Sequence, residues 1–174
     1  MELRGRGKNV ILMTMRMIVN NLEETQKIAA DLANLVQAGD TILLDGELGA
    51  GKTTFTQGFA RALGIKRPLK SPTFTLVREY QTTNFSLYHL DVYRLGEEGG
   101  GDELGLEDYF NADSVSFVEW SQYIEAQLPF DALKVSLERV TNDTTGLQRM
   151  ITISARGERS TALLKQLQVT TNGN

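Results

Sequence analysis

The sequence predicts a three-layer α/β domain on a mixed sheet, and two features carry that expectation. A short apolar run, Thr41-Ile42-Leu43-Leu44-Asp45, enters a glycine-rich loop that leads straight into a helical pattern. That is the order of a buried parallel strand and its following helix. Residues 73–80 and 85–91 have strand character and are separated only by Gln81-Thr82-Thr83-Asn84, a link too short for anything but an antiparallel pair. Parallel and antiparallel strands are therefore expected in one sheet.

The remaining elements follow in chain order. From Asn21, residues Leu22, Ile28, Ala29, Leu32, Leu35 and Val36 recur at helical spacing. Asn20 or Asn21 is placed to cap this helix and Gly39-Asp40 to end it. Residues 53–63 predict a second helix, stopped by Gly64. Residues 96–102 hold four glycines and predict a flexible acidic loop, followed by a short helix from Asp102 or Glu103 to Phe110. Residues 115–120 form another apolar strand, behind which Ser121 caps a short helix. Residues 132–139 and 149–155 alternate like a hairpin, and 161–167 close the chain as a helix. The expected organisation is one domain over 17–168, a basic and disordered extension over 1–16, and a frayed tail over 169–174.

Composition narrows the class. With 174 residues, 41% of them apolar and 23% charged, the chain has enough apolar material for one folded core. No apolar run approaches the roughly 18–20 residues needed to cross a bilayer. Cysteine is absent, which excludes disulfides and thiolate metal sites; a cytoplasmic protein is expected. Net charge is −4, but the first sixteen residues carry +3 through Arg4, Arg6, Lys8 and Arg16 against Glu2, so the remainder carries −7. A body that acidic does not by itself neutralise a run of nucleic-acid phosphates. Met13, Met15 and Met17 are plausible alternative starts.

Gly46-Glu47-Leu48-Gly49-Ala50-Gly51-Lys52-Thr53 satisfies the G-x-x-x-x-G-K-[ST] pattern in full. Its glycines let successive backbone N–H groups turn inward as an anion nest. The following helix directs its positive end at the same point. Lys52 adds a charge for the β and γ oxygens of a nucleotide, the Thr53 hydroxyl suits Mg²⁺, and Thr54 is placed for the α-phosphate. The fold class is accordingly that of a P-loop NTPase. Phosphoryl chemistry also needs acidic groups for the metal and the nucleophile. Asp91 and Glu119 each end an apolar strand, where an α/β sheet gathers its ligand. Which of them binds Mg²⁺ is open in the sequence, with Glu119 favoured for the metal and Asp91 for polarising the nucleophile.

Three further segments belong beside the loop: Ser71-Pro72-Thr73-Phe74-Thr75-Leu76-Val77, His89-Leu90-Asp91-Val92-Tyr93-Arg94-Leu95 and Val118-Glu119-Trp120. In this order and spacing they closely resemble the bacterial TsaE (YjeE) family, over about residues 17–167. The resemblance implies an ATPase serving threonylcarbamoyladenosine synthesis at position 37 of tRNA, working with TsaD and TsaB and touching tRNA through that complex. It also implies that hydrolysis resets the complex and does not build the threonylcarbamoyl group. It assigns nucleotide contact to Glu47, Leu48, Gly49, Ala50, Gly51, Lys52, Thr53 and Thr54, and catalysis to Lys52, Asp91 and Glu119. Mg²⁺ falls to Thr53 with Glu119, proximity to the nucleotide to Trp120, and a switch loop to Ser71, Thr73 and Thr75.

Pro72 biases Ser71 to extended backbone. His89, the only histidine, is expected in core packing or on a backbone group, while Trp120 either stacks on a base or fills core. The family pattern is broken at Gly96-Glu97-Glu98-Gly99-Gly100-Gly101-Asp102, where many relatives start a helix with Pro-Glu-Glu. Two other readings compete: a small-molecule kinase, and a nucleotide-gated binding module with negligible chemistry. Residues 96–113 contain no Arg or Lys, which argues against the basic lid such kinases close over phosphate.

Overall fold

The computed structural model describes residues 12–67, 69 and 76–173. The strands are β1 (Met13–Val19), β2 (Thr41–Asp45), β3 (Val77–Gln81), β4 (Ser86–Asp91), β5 (Ser114–Glu119), β6 (Leu133–Arg139) and β7 (Arg149–Ala155). Helices α1 (Leu22–Leu35), α2 (Lys52–Ala62), α3 (Leu95–Glu98) and α4 (Glu158–Asn172) connect or flank them, with 3-10 segments at Gly101–Glu103, Leu106–Tyr109 and Ser121–Gln127. All seven strands join one sheet in the order β1-β7-β6-β2-β5-β4-β3. The four central strands, β6, β2, β5 and β4, are parallel. The β3–β4, β6–β7 and β1–β7 pairs are antiparallel. The mixed P-loop α/β fold expected from the sequence is the fold observed.

Burial follows pairing. Every residue of β5 is buried, as a central parallel strand covered on both faces requires. On one face Ile28 and Leu32 of α1, Phe55 and Phe59 of α2, and Leu163, Leu164 and Leu167 of α4 pack on Ile42, Leu44, Phe117 and Val135. On the other, Leu95, Leu106 and Ile124 from α3 and the 3-10 segments pack with Leu43, Leu90 and Val118 of β2, β4 and β5. The outer strands β6, β7 and β1 therefore alternate buried with open positions. Among the described residues no helix is long and apolar enough to cross a membrane.

Four expectations are corrected. Residues 13–16, assigned to a disordered extension, form the first half of β1, pairing with β7 from Met13↔Ala155 onward. Their alternation explains it: Met13, Met15 and Met17 pack half-buried against the core, while Thr14, Arg16 and Ile18 face out. The C-terminal tail is not frayed from 169, because α4 runs to Asn172 and the Thr171 hydroxyl donates back to the Leu167 carbonyl at 3.0 Å. The segment read as a loop opens with α3. The helix expected to Phe110 is two 3-10 turns, each preceded by a left-handed glycine, Gly100 at φ 84° and Gly105 at φ 62°. Residues 73–75 of the predicted strand lie outside the described residues.

α4 is fastened at its start. The Asp131 carboxylate accepts the N–H groups of Arg159 and Ser160, both at 2.8 Å, satisfying donors a helix leaves open. Burial pushes the Asp131 carboxyl up, but these bonds from Ser160 and Arg159 outweigh it and hold the group below its usual range. The Arg159 guanidinium forks onto buried Asp40 at 2.9 and 2.8 Å, tying the helix to the threshold of β2. In the β6–β7 turn, the Thr145 hydroxyl and the N–H groups of Gln148, Thr145 and Leu147 bring exposed Asp143 from 3.8 to about 2.

Two outcomes follow for stability. A side chain at Gly157 would run into Asp131, so Gly157→Ala should cost about 1–3 kcal/mol in urea unfolding; an unchanged midpoint would mean that Asp131 is not the cap. Asp143 has a depressed folded value, so its turn contacts are complete above about pH 4 and lost as pH falls through about 2. Carboxyl NMR titration of Asp143 should read about 2, returning towards 3.8 in Thr145→Ala.

Candidate functional site

The loop from Gly46 to Gly51 joins the C-terminal end of β2 to the N-terminus of α2. Gly49 and Gly51 take φ 80° and 108°, conformations in which the peptide planes turn their N–H groups towards one centre. A Cβ at Gly46 would sit 2.7 Å from the Leu137 carbonyl of β6, so the loop lies directly on that strand. Lys52 is buried, and its Nζ donates to the carbonyls of Gly46 and, at 3.1 Å, Glu47. Burial lowers the Lys52 ammonium from its ordinary value, while Glu119, Asp91 and Asp45 pull it back up. Thr53 is exposed on the first turn of α2 and Thr54 is half-buried.

The parallel register brings the carboxylates to the loop. Asp91 and Glu119 are direct partners across β4 and β5, and Leu44 of β2 pairs with Glu119. Asp91 and Glu119 share parity with Leu87 and Phe117, which face the α2 side. Asp45 follows Leu44 onto the opposite parity and caps the 3-10 segment, accepting from the Ser121 N–H at 2.9 Å and the Ser121 hydroxyl at 2.7 Å. Asp91 accepts the Tyr93 N–H at 3.1 Å. Sequence reasoning did not single out Asp45, although it too is a strand-end carboxylate.

His89 packs in the core, as one of its two expected roles required, edge-on to Phe117 at 6.0 Å between ring centroids. Its Nε2 lies 2.7 Å from Glu119 Oε2, with both residues buried, so its partner is a carboxylate and not backbone. The other ring nitrogen, Nδ1, has no hydrogen-bond partner among the described residues, which fits a proton carried on Nε2 and donated to Glu119. Trp120 adopts φ 61° and presents its ring to the Lys52 ammonium, 4.1 Å from the ring centroid. Tyr93 stands 4.8 Å from the same ring and Tyr123 lies parallel to it at 6.2 Å. Ser71, Thr73 and Thr75 lie outside the described residues.

Two arginines also reach the loop. Arg139 Nε donates to the Gly49 carbonyl at 3.2 Å. Arg149 donates to the Ala50 carbonyl at 3.0 Å and the Gly49 carbonyl at 3.4 Å. Beside them a cleft of about 690 Å³ opens between Gly46, Leu48, Ser136, Arg139 and Thr141. Among the described residues no three His, Cys, Asp or Glu side chains group as a metal site. Thr53, Glu119 and Asp91 nonetheless offer hard oxygen donors, which suits an ion that keeps most of its ligands as water and phosphate.

Comparison with known proteins adds a lineage. The family model "Threonylcarbamoyl adenosine biosynthesis protein TsaE" matches residues 19–151. The chain is 46% identical over 147 residues to the tRNA threonylcarbamoyladenosine biosynthesis protein TsaE of Bacillus subtilis, covering 84% of this chain and 89% of that one. It is 39% identical over 138 residues to the protein of the same name from Streptomyces coelicolor, covering 77% and 92%. A crystal structure of Bacillus subtilis YdiB superposes with a TM-score of 0.79 at 39% identity, over 92% of this chain and 98% of that one.

Trp120 is the sole tryptophan and carries a cation on its face. Lys52→Met should therefore shift its fluorescence emission while leaving far-ultraviolet circular dichroism unchanged, the contact being worth about 0.5–2 kcal/mol. Identical emission in the two proteins would show that the ammonium does not rest on the indole.

Proposed function

This chain belongs to the TsaE family, and we propose that it is the Mg²⁺-dependent ATP-binding and ATP-hydrolysing component of tRNA N6-threonylcarbamoyladenosine (t6A37) synthesis. The observation that carries the reading is Lys52: a buried ammonium at the mouth of a phosphate loop, faced by Glu119 and Asp91. An ammonium has three protons, and Gly46 and Glu47 take two. The third is left for an oxygen of the β- or γ-phosphate. First-turn amides of α2, which have no acceptor within a helix, serve the remaining phosphate oxygens, and the cleft beside Arg139 and Thr141 accommodates the nucleoside.

Thr53 and Glu119 would hold Mg²⁺, which when bound supplies charge neutralisation across the β- and γ-oxygens. His89 fixes the Glu119 carboxylate from behind through Nε2, as outer partners orient metal-binding side chains. Asp91, anchored by the Tyr93 N–H, accepts a hydrogen bond from the attacking water and orients it towards the γ-phosphorus. The aromatic wall of Trp120, Tyr93 and Tyr123 excludes bulk water from one side of Lys52. Turnover by the chain alone is expected to be slow, with the cycle completed in an assembly with TsaD and TsaB that carries the tRNA.

Calorimetry tests the reading. Wild-type protein should take up Mg²⁺-ATP, and Lys52→Ala should weaken uptake about a hundredfold, the scale of losing a charged hydrogen bond at a buried site. Glu119→Ala should retain a fold but lose Mg²⁺-dependent hydrolysis, and ATP should promote capture of TsaD and TsaB by wild type and not by Lys52→Ala. Absence of any ATP uptake by the wild-type chain would refute the proposal.

A further inference from the structure

Arg139 and Arg149 sit opposite each other across the β6–β7 ladder, yet neither pairs with a carboxylate among the described residues. Both guanidiniums instead converge on one oxygen, the Gly49 carbonyl, at 3.2 and 3.4 Å. Two like charges brought to a single neutral acceptor repel each other, and a polyanion held nearby relieves that repulsion. Arg149 is also fixed from behind, since its Nη1 donates to the carbonyls of Gly146 at 2.9 Å and Gln148 at 2.8 Å. The Arg139 guanidinium lies directly against Gly49, where a Cβ would sit 2.5 Å from Nη2.

We propose that Arg139 and Arg149 are positioning residues for the phosphates: a guanidinium brace on the outer, carbonyl edge of the loop that presets its inner, amide edge. The proposal rests on the nucleotide reading given above. In a trans peptide the C=O and N–H point in opposite directions, and the chain has no cis bonds among the described residues. Arg149 draws the Ala50 carbonyl outward at 3.0 Å and so turns the Gly51 N–H inward. The same two charges add to the positive potential that Lys52 places at the loop. The brace thus supplies geometry before the ligand arrives and charge once it is there.

Isothermal calorimetry with Mg²⁺-ATP on the full chain decides the matter, alongside nucleotide-free thermal unfolding and steady-state kinetics. Arg149→Gln should raise Kd at least about tenfold, and Arg139→Gln about three- to tenfold, as expected for hydrogen bonds from a charged donor. The defect should fall on KM more than on kcat, the signature of binding lost equally in ground and transition states. Arg149→Lys keeps the charge but not the fork and should recover only part of the affinity. Kd within twofold of wild type for both Gln variants overturns the proposal, as does a lowered nucleotide-free Tm with Kd unchanged. If Arg149→Gln does not fold, the Arg139→Gln threshold decides alone. Wild-type protein that takes up no ATP refutes the nucleotide reading itself, an outcome distinct from wild-type uptake that the arginine variants leave intact.

Discussion

The pairing of β2 with β5, in which Leu44 lies opposite Glu119, determines where every charged group of the site stands. Parallel strands begin and end together, so the loop leaving β2 opens at the same sheet edge as Glu119 and its β4 partner Asp91. A slip of one residue would turn Glu119 to the opposite face, away from α2 and from Lys52. Such a slip is opposed by the burial of all six β5 residues, with the Phe117 ring packed against Phe55 and, tilted, against Phe59 of the loop's own helix. The hydrophobic core and the placement of charge are thus one constraint. Packing Phe117 correctly is what delivers Glu119.

The sheet is unequal in its two halves, and the inequality has a chemical counterpart. Around β2, β5 and β4 both faces are covered, giving the dry surroundings in which a lysine and facing carboxylates interact strongly. Around β6, β7 and β1 one face is open, and apart from Ile18 and Met150 its side chains are hydroxylic or charged. The loop lies on the seam between these halves. Lys52, Glu119 and His89 reach it from the dry side, where each is at most 8% exposed. Arg139 and Arg149 reach it from the ends of β6 and β7, on the parity of Leu137 and Ile151.

Local chemistry was legible in the sequence; long-range chemistry was not. The loop, its flanking strand and helix, and the β6–β7 hairpin each depend on a few consecutive residues, and they were read with bounds close to those observed. Of the two candidate caps, Asn20 and Asn21, it is Asn21 that accepts the Glu24 N–H at 2.9 Å. β1 was missed because three alternating methionines look like initiation sites, although their period of two is that of a strand with one face buried. The glycines at 100 and 105 broke a helix that composition alone suggested. His89 does pack in the core, but its carboxylate contact had no local signal, since Glu119 is 30 positions on. The arginines at 139 and 149 carried no local signal, since a basic residue at a strand end is ordinary until the fold sets it on a loop carbonyl.

Arg149 lies 99 positions beyond the Ala50 carbonyl that it holds, and this distance sets a schedule. Ribosomes add roughly 5–20 residues per second and domains fold as they emerge, so the glycine loop waits about 5–20 s for its second half. Until residue 133 is added, a nascent chain carries the glycine loop without β6, β7 or either guanidinium. The strand on which the loop lies and both guanidiniums therefore arrive with the last quarter of the polypeptide, and a product terminated before Leu133 keeps the loop sequence without them.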